Sequence, residues 1–154
     1  MLTENPPINV LMIAPPGMMR DSLCSLLSSI PAVSIVGFLS FEDQIPQSLV
    51  ALYPDIVLMD CTGKAHNLET IRRIKVWNPD QYCLVIAGNS HEARLAYLYG
   101  ADEVLTHGYT GFQFKAALRK YGYIYPQPPN QRDGGEKISG ATHIGSALHL
   151  PRKR

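Results

Sequence analysis

"DIVLMD", residues 55–60, contains four consecutive apolar residues and ends at the carboxylate of Asp60. Apolar side chains on both faces of such a short run are typical of a strand buried in a parallel sheet. Ligands of these sheets bind beyond the carboxyl ends of the strands, so Asp60 stands where chemistry is expected. Two interpretations remain open: Asp60 is reactive, or it only accepts hydrogen bonds from neighbouring loop N–H groups.

Four further apolar runs predict strands at 8–14, 33–40, 82–88 and 103–107, with a helical pattern after each strand. This alternation predicts one α/β domain whose parallel sheet is covered by helices on both faces. The positions that mark the five helices are, in chain order, Met19, Leu23, Leu26, Leu27 and Ile30; Ile45, Leu49 and Leu52; Leu68, Ile71 and Ile74; residues 91–99, ended by Gly100; and Phe114, Ala117, Leu118 and Tyr121.

The overall composition excludes several classes of protein. A chain of 154 residues with a net charge of +1 has no bulk electrostatic attraction for nucleic acid or for a membrane surface. No long apolar window predicts a secretory signal or a membrane span, so a cytoplasmic protein is expected. The three cysteines, Cys24, Cys61 and Cys83, are widely spaced and form no CxxC motif. They predict reduced thiols, with neither a zinc site nor a disulfide framework.

The last part of the chain differs from the rest. Residues 122–154 are rich in Gly and Pro, carry a net charge of +3 and show no clear helical stripe, whereas residues 1–121 carry a net charge of −2. We therefore expect a domain at 1–121 followed by a flexible basic tail at 122–154.

Four segments occur in the order and spacing of a known family: "INVLMIAPPGMMRDSL" (8–23), "SIVGFLSFEDQ" (34–44), "LYPDIVLMDCTG" (52–63) and "YGADEVLTH" (99–107). Together they resemble the receiver domain of two-component response regulators, in particular the LuxR-type subgroup. The resemblance implies a flavodoxin-like, doubly wound fold with strand order 2-1-3-4-5. It also implies that Asp60 occupies the position that accepts a phosphoryl group from a histidine kinase.

The residues that make the family's aspartate reactive are missing here. The acidic pair that helps to hold Mg²⁺ is replaced by Ala14 and Pro15, the Thr or Ser after the fourth strand by Ala87, and the Lys after the fifth strand by His107. Without these groups the repulsion between Asp60 and an incoming phosphoryl group is not neutralised. The sequence therefore predicts an atypical, non-enzymatic receiver with a degenerate phospho-acceptor position, no bound metal and no cofactor.

Three rival functions stay open. In the first, Asp60 still accepts a phosphoryl group, with Lys64 and His107 supplying positive charge. In the second, the less polar pocket binds a small ligand. In the third, the chain is the receiver part of a transcription factor and lacks the DNA-binding domain. The 33 residues after position 121 are too few for a helix-turn-helix domain. Each of these residues also has an ordinary structural interpretation without a signalling role. Lys64 is solvated, His107 is hydrogen-bonded in the pocket, and the Cys61 thiol is inert.

Aromatic residues cluster around the fourth helix, the fifth strand and the fifth helix. We expect a protein partner, a kinase or an output protein, to bind this face, or a second copy of the chain to form a homodimer there. The alternative is that some of these rings belong to the core. Neither direct nucleic-acid binding nor membrane binding is expected. The interface candidates are Tyr97, Tyr99, Tyr109 and Phe112.

Overall fold

The computed structural model describes residues 6–124, which form a parallel five-stranded sheet with helices on both faces. The strand order is β2-β1-β3-β4-β5, as predicted. Every neighbouring pair of strands is parallel, which confirms the doubly wound α/β fold. The strands are β1 (Ile8–Ile13), β2 (Val33–Leu39), β3 (Ile56–Asp60), β4 (Tyr82–Ala87) and β5 (Glu103–Thr106).

A helix follows each strand, and the apolar stripes of the sequence locate all five. Pro46 lies in the first turn of α2, where its missing N–H leaves no hydrogen bond unmade. Gly100 ends α4 with a φ of 116°, a left-handed conformation that favours glycine. The helices are α1 (Met18–Ser28), α2 (Ile45–Leu52), α3 (Glu69–Trp77), α4 (Ser90–Tyr99) and α5 (Gly111–Ile124), with a 3-10 turn (Ala65–Leu68) before α3.

The core has two halves, one on each face of the sheet. Leu58 and Ile86 point toward α1 and α5, whereas Val57 and Met59 point toward α2, α3 and α4. Successive residues of a strand face opposite sides, so β3 has both of its faces buried. This double burial explains why β3 and β4 are uninterrupted apolar runs, and it fixes Asp60 at the end of a central strand.

Several boundaries differ from the predicted ones by one to three residues. Strands β1, β2 and β4 each end one residue earlier, at Ile13, Leu39 and Ala87, β3 begins one residue later, at Ile56, and α1 ends at Ser28, before Ile30. Leu68 belongs to the 3-10 turn, so α3 begins one residue later, and β5 ends at Thr106, which leaves His107 outside the strand. Helix α5 continues to Ile124 and so includes three residues that the sequence assigned to the tail. The rest of the predicted tail lies outside the described residues. Among the described helices, none has the length and apolar character needed to cross a bilayer.

Candidate functional site

The carboxyl ends of the parallel strands bring the predicted site residues to one edge of the sheet. Backbone hydrogen bonds hold the segments that leave these strands side by side. The N–H of Cys61 donates to the carbonyl of Ile86 at 2.9 Å, and the N–H of His107 donates to the carbonyl of Ala87 at 2.9 Å. The exits from β3, β4 and β5 are therefore neighbours, as the sequence predicted.

Asp60 is the last residue of β3, and its side chain is largely buried. The residue is 8% exposed, and its Oδ1 accepts a hydrogen bond from the N–H of Thr62 at 3.1 Å. No ion pair to Asp60 occurs within residues 6–124. The carboxylate is thus held by its own loop, which is the geometry expected of a carboxylate that caps a turn.

The end of β1 supplies no side-chain oxygen to this site. Ala14 is completely buried and presents a methyl group, and Pro15 is exposed. The carbonyl of Ala14 instead accepts a hydrogen bond from the Arg20 guanidinium at 3.3 Å, and that guanidinium lies 5.0 Å from the centre of the Phe38 ring. A cation therefore lies against the chain where a magnesium site would need carboxylates.

The residues present do not fit Mg²⁺, which prefers a near-octahedral set of oxygen ligands including carboxylates. Asp60 provides one carboxylate, and its Oδ1 already accepts the Thr62 N–H. In the described part of the chain, no three His, Cys, Asp or Glu side chains are grouped to hold a metal ion. The side chains present therefore differ from the magnesium ligands that the family resemblance implies.

A second carboxylate, which the sequence analysis missed, occupies the turn after β4. Oε1 of Glu92 accepts a hydrogen bond from the N–H of Gly88 at 2.7 Å, and the N–H of Glu92 donates to Oδ1 of Asn89 at 2.9 Å. The reciprocal bonds resemble a capping box, for which an Asn followed three residues later by a Glu is a sequence signal. Asn89 therefore caps α4, and Ala87 beside it presents only a buried methyl group.

Neither candidate cation approaches Asp60 within ion-pair distance. Lys64 is exposed, and its N–H donates to the carbonyl of Cys61. His107 is also exposed, and its ring has no hydrogen-bond partner in the part of the chain that the structure describes. This differs from the hydrogen-bonded pocket histidine favoured by the sequence. Strand β5 ends one residue earlier than predicted, at Thr106, and His107 lies in the turn that follows it.

The Cys61 thiol is buried and protonated. Its pKa is raised to about 12, chiefly by burial and then by the negative charges of Asp60 and Glu92. Two acidic side chains therefore lie close enough to act on this one thiol. Close by, the Thr62 hydroxyl oxygen is buried and has no hydrogen-bond partner among the described residues. The charges of Asp60 and Glu92 therefore act against a further negative charge at the Cys61 thiol.

The four aromatic interface candidates divide into two exposed and two half-buried rings. Phe112 is 74% exposed, and Tyr97 is exposed while its hydroxyl accepts a hydrogen bond from the N–H of Val104 at 3.2 Å. Tyr99 packs on the core beneath the Arg72 guanidinium, which lies 4.3 Å from its ring centre. Tyr109 stacks on the core residue Phe114.

Burial, and then the charge of Asp60, raise the pKa of Tyr109, so this tyrosine lies within electrostatic reach of the candidate site. Leu98, which the sequence did not single out, is 77% exposed on α4. Leu98 lines a cavity on α4 together with Tyr97, whereas β5 and α5 line a separate cavity of about 350 Å³ that includes Phe112 and Lys120. The exposed apolar side chains of this face are thus Tyr97, Leu98 and Phe112, and an interface there stays a prediction.

No family model and no curated protein matches the sequence. Solved structures do match the fold. A putative pilus assembly-related protein from Burkholderia pseudomallei superposes with a TM-score of 0.68 at 20% identity, covering 80% of this chain and 95% of that one.

Two response-regulator structures match similarly. The response regulator domain of CheB from Thermotoga maritima has a TM-score of 0.59 at 21% identity over 76% of this chain and 95% of that one. A LuxR-family two-component response regulator from Aurantimonas has a TM-score of 0.64 at 19% identity over 74% of this chain and 84% of that one. Residues 6–124 therefore have the fold of the receiver domains of response regulators.

Proposed function

We propose that this chain is an atypical receiver that acts in signal transduction by protein–protein contact, without phosphorylation of Asp60. The observation that carries the proposal is the set of groups around Asp60. The ends of β1 and β4 contribute the methyl groups of Ala14 and Ala87, and the exit of β5 contributes an exposed His107. On this proposal the domain is a cytoplasmic signalling module without enzymatic turnover or cofactor.

Electrostatics explain why these groups matter. A phosphoryl donor and a carboxylate are both anionic, and transfer between them depends on metal ions and fixed cations that neutralise the charge. Loss of a catalytic metal ion removes roughly several kcal/mol of the stabilisation that the ion gives to the charge of the transition state. Here the Glu92 carboxylate adds a second negative charge, which already accepts the hydrogen bond of the Gly88 N–H.

The surface that supports a binding function is formed by α4, β5 and α5. Tyr97, Leu98 and Phe112 are large, exposed and apolar or aromatic, a composition enriched at the centres of protein interfaces. We propose that a signalling protein or a second copy of the chain binds there. No direct contact with nucleic acid is part of the proposal.

A phosphorylation assay tests it directly. The purified protein is incubated with Mg²⁺ and acetyl phosphate and run on a phosphate-affinity gel beside Asp60→Asn. We expect one unshifted band for both proteins. A slower band in the wild type that disappears in Asp60→Asn would establish the rival function, a working phospho-acceptor.

A second candidate is a role in pilus assembly, favoured by the likeness to the pilus assembly-related protein, which covers 95% of that chain. The expected result is a change in the number of surface pili, counted by electron microscopy, when the gene is deleted in its own host and restored by complementation. Unchanged pili in the deletion strain would remove this candidate and leave the receiver proposal standing.

A further inference from the structure

Strand β5 is one edge of the sheet. It pairs with β4 on one side, and no strand within residues 6–124 pairs with it on the other. An edge strand presents backbone N–H and C=O groups that can pair with a further strand. All the residues of β5 line the cavity of about 350 Å³ that this strand forms with α5. The open edge is therefore accessible along its whole length.

One hydrogen bond shows which backbone groups of β5 point away from the sheet. The N–H of His107 donates to the carbonyl of Ala87 at the end of β4. The backbone groups of successive residues in a strand point to opposite sides, so those of Thr106 and Val104 point away from β4. The hydrogen bond from the Val104 N–H to the hydroxyl of Tyr97, on α4, agrees with this direction.

Half of these outward groups already have partners. The Val104 N–H donates to the Tyr97 hydroxyl at 3.2 Å, and the Thr106 carbonyl accepts from the N–H of Tyr109 at 3.1 Å. The Val104 carbonyl and the Thr106 N–H have no hydrogen-bond partner in the described part of the chain. One free acceptor and one free donor, two residues apart, therefore remain on this edge.

A second β5 strand that runs antiparallel matches these two groups. In a ladder centred on Leu105, the Thr106 N–H lies opposite the second copy's Val104 and donates to its carbonyl. A two-fold axis repeats the same bond in the other direction. Tyr97 and Tyr109 keep their own hydrogen bonds, so this pairing requires no change within the domain.

Two further observations favour a second copy in this arrangement. The same register places the Glu103 side chain opposite the second copy's His107, which is a carboxylate facing an exposed imidazole. A parallel second copy fits less well. One of its residues would have to offer both an outward N–H and an outward C=O, and in Val104 and Thr106 one of these two groups is already bound.

We propose that two copies of the chain associate by antiparallel pairing of their β5 strands, which joins the five strands of each copy into one continuous sheet. This inference rests on the proposed function, which assigns the surface of α4, β5 and α5 to protein contact. It identifies the partner as a second copy and the main-chain edge of β5 as the contact. Phe112, which is 74% exposed and lines the same cavity, then flanks the added strand.

A proline at position 106 removes the donor of the proposed bond. Thr106→Pro lacks the N–H that points away from β4, whereas the matched control Thr106→Ala loses the hydroxyl and keeps the N–H. Size-exclusion chromatography with light scattering over a range of concentrations gives the dissociation constant of the dimer. We expect Thr106→Pro to raise it about tenfold or more, because two symmetry-related bonds are lost, and Thr106→Ala to stay within about two-fold of the wild type.

A cysteine pair tests the register independently of the proline. Residues 103 and 107 of the two copies form a non-hydrogen-bonded pair with Cα atoms about 4.5 Å apart, a distance that a disulfide can span. In a Cys24→Ser background, we expect a mixture of Glu103→Cys and His107→Cys proteins to form a covalent dimer on mild oxidation, and either protein alone to form none. Glu103→Cys mixed with His66→Cys, which replaces another exposed histidine, is the control and is expected to stay uncrosslinked.

The outcomes separate this inference from the proposed function. A wild type that is monomeric at every concentration would overturn the β5 pairing and leave the proposed function with a different signalling protein as the partner. Equal dissociation constants for Thr106→Pro and Thr106→Ala, or a mixture without a covalent dimer, would also overturn it. The cysteine pair decides alone if circular dichroism shows that the proline variant is unfolded. A phosphorylated band in the gel assay would instead contradict the proposed function.

Discussion

Cys61 lies directly after Asp60 and shows how strongly the site disfavours negative charge. Its thiol is buried, and its pKa is about 12, against an ordinary value of 9.0. The unfolded chain releases this proton near pH 9, whereas the folded chain keeps it until near pH 12. The contribution of the group to stability is therefore complete below pH 9 and is lost as the pH rises from 9 toward 12.

We expect the free energy of unfolding to fall less steeply above pH 9 in Cys61→Ala than in the wild type. One proton bound differently in the two states changes the free energy by about 1.4 kcal/mol per pH unit. Urea unfolding at a series of pH values between 8 and 10.5, on both proteins, measures the difference in slope. Parallel slopes would show that the thiol is less buried than its position indicates.

Among the residues of the site, Glu92 is the one whose substitution we expect to change stability most clearly. Glu92→Ala leaves the Gly88 N–H without its acceptor, and we expect a loss of about 1–2 kcal/mol. Glu92→Gln keeps an acceptor oxygen and is expected to lose less than half of that. The exposed Glu42 provides the matched control, since Glu42→Ala is expected to stay within about 0.5 kcal/mol of the wild type. Urea unfolding at neutral pH measures all three variants.

At the scale of elements, the strands were predictable because burial on both faces leaves a continuous apolar run, as in β3 and β4. Their parallel arrangement then placed Asp60, Ala87 and His107 at one edge. The exposure of His107 was not predictable, because it depends on β5 ending one residue before it. The hydrogen bond from the Gly88 N–H to Glu92 was not predictable either, because it depends on a side-chain conformation across a turn. The spacing of Asn89 and Glu92 did indicate a helix cap.

Helix α3 is joined to the loops beneath it by one lysine. Nζ of Lys75 donates to the carbonyl of Gln81 at 2.6 Å and to Oδ2 of Asp102 at 2.7 Å, and Oδ2 of Asp102 also accepts from the Cys83 N–H. The Lys75 side chain is 17% exposed and that of Asp102 is 31% exposed, so this ion pair is partly screened by solvent and its loss costs more than that of a fully exposed pair but less than that of a buried one.

We expect Lys75→Met to lower the free energy of unfolding by about 1–2 kcal/mol, because it removes the ion pair from Asp102, which keeps only the Cys83 N–H, and takes the lysine donor from the carbonyl of Gln81. Lys64→Met removes an exposed lysine and is expected to change stability by less than about 0.5 kcal/mol. Thermal and urea unfolding compare the two variants. Equal effects would mean that the Lys75 network contributes no more than a solvated side chain.

At the scale of the whole molecule, exposed apolar side chains occur in two groups on different helices of the described domain. One group, Val50, Tyr53, Val76 and Trp77, lies at the carboxyl-terminal ends of α2 and α3. Tyr97, Leu98 and Phe112 lie on α4 and α5 and serve the proposed protein contact. The two groups share no residue, so substitutions in one leave the other unchanged.

We therefore expect Leu98→Asp together with Phe112→Asp to weaken association by about tenfold or more, because a charge buried at an interface centre costs over 1 kcal/mol. The measurement is size-exclusion chromatography with light scattering over a range of protein concentrations. Met18→Asp is the matched control, since Met18, on α1, is 83% exposed, at least as much as Leu98 and Phe112, and the substitution is expected to leave association unchanged. Asp60→Asn is expected to associate like the wild type, because the proposed contact on this face requires no phosphorylation of Asp60. A wild-type protein that is monomeric at every concentration would exclude the homodimer and assign this face to a different signalling protein.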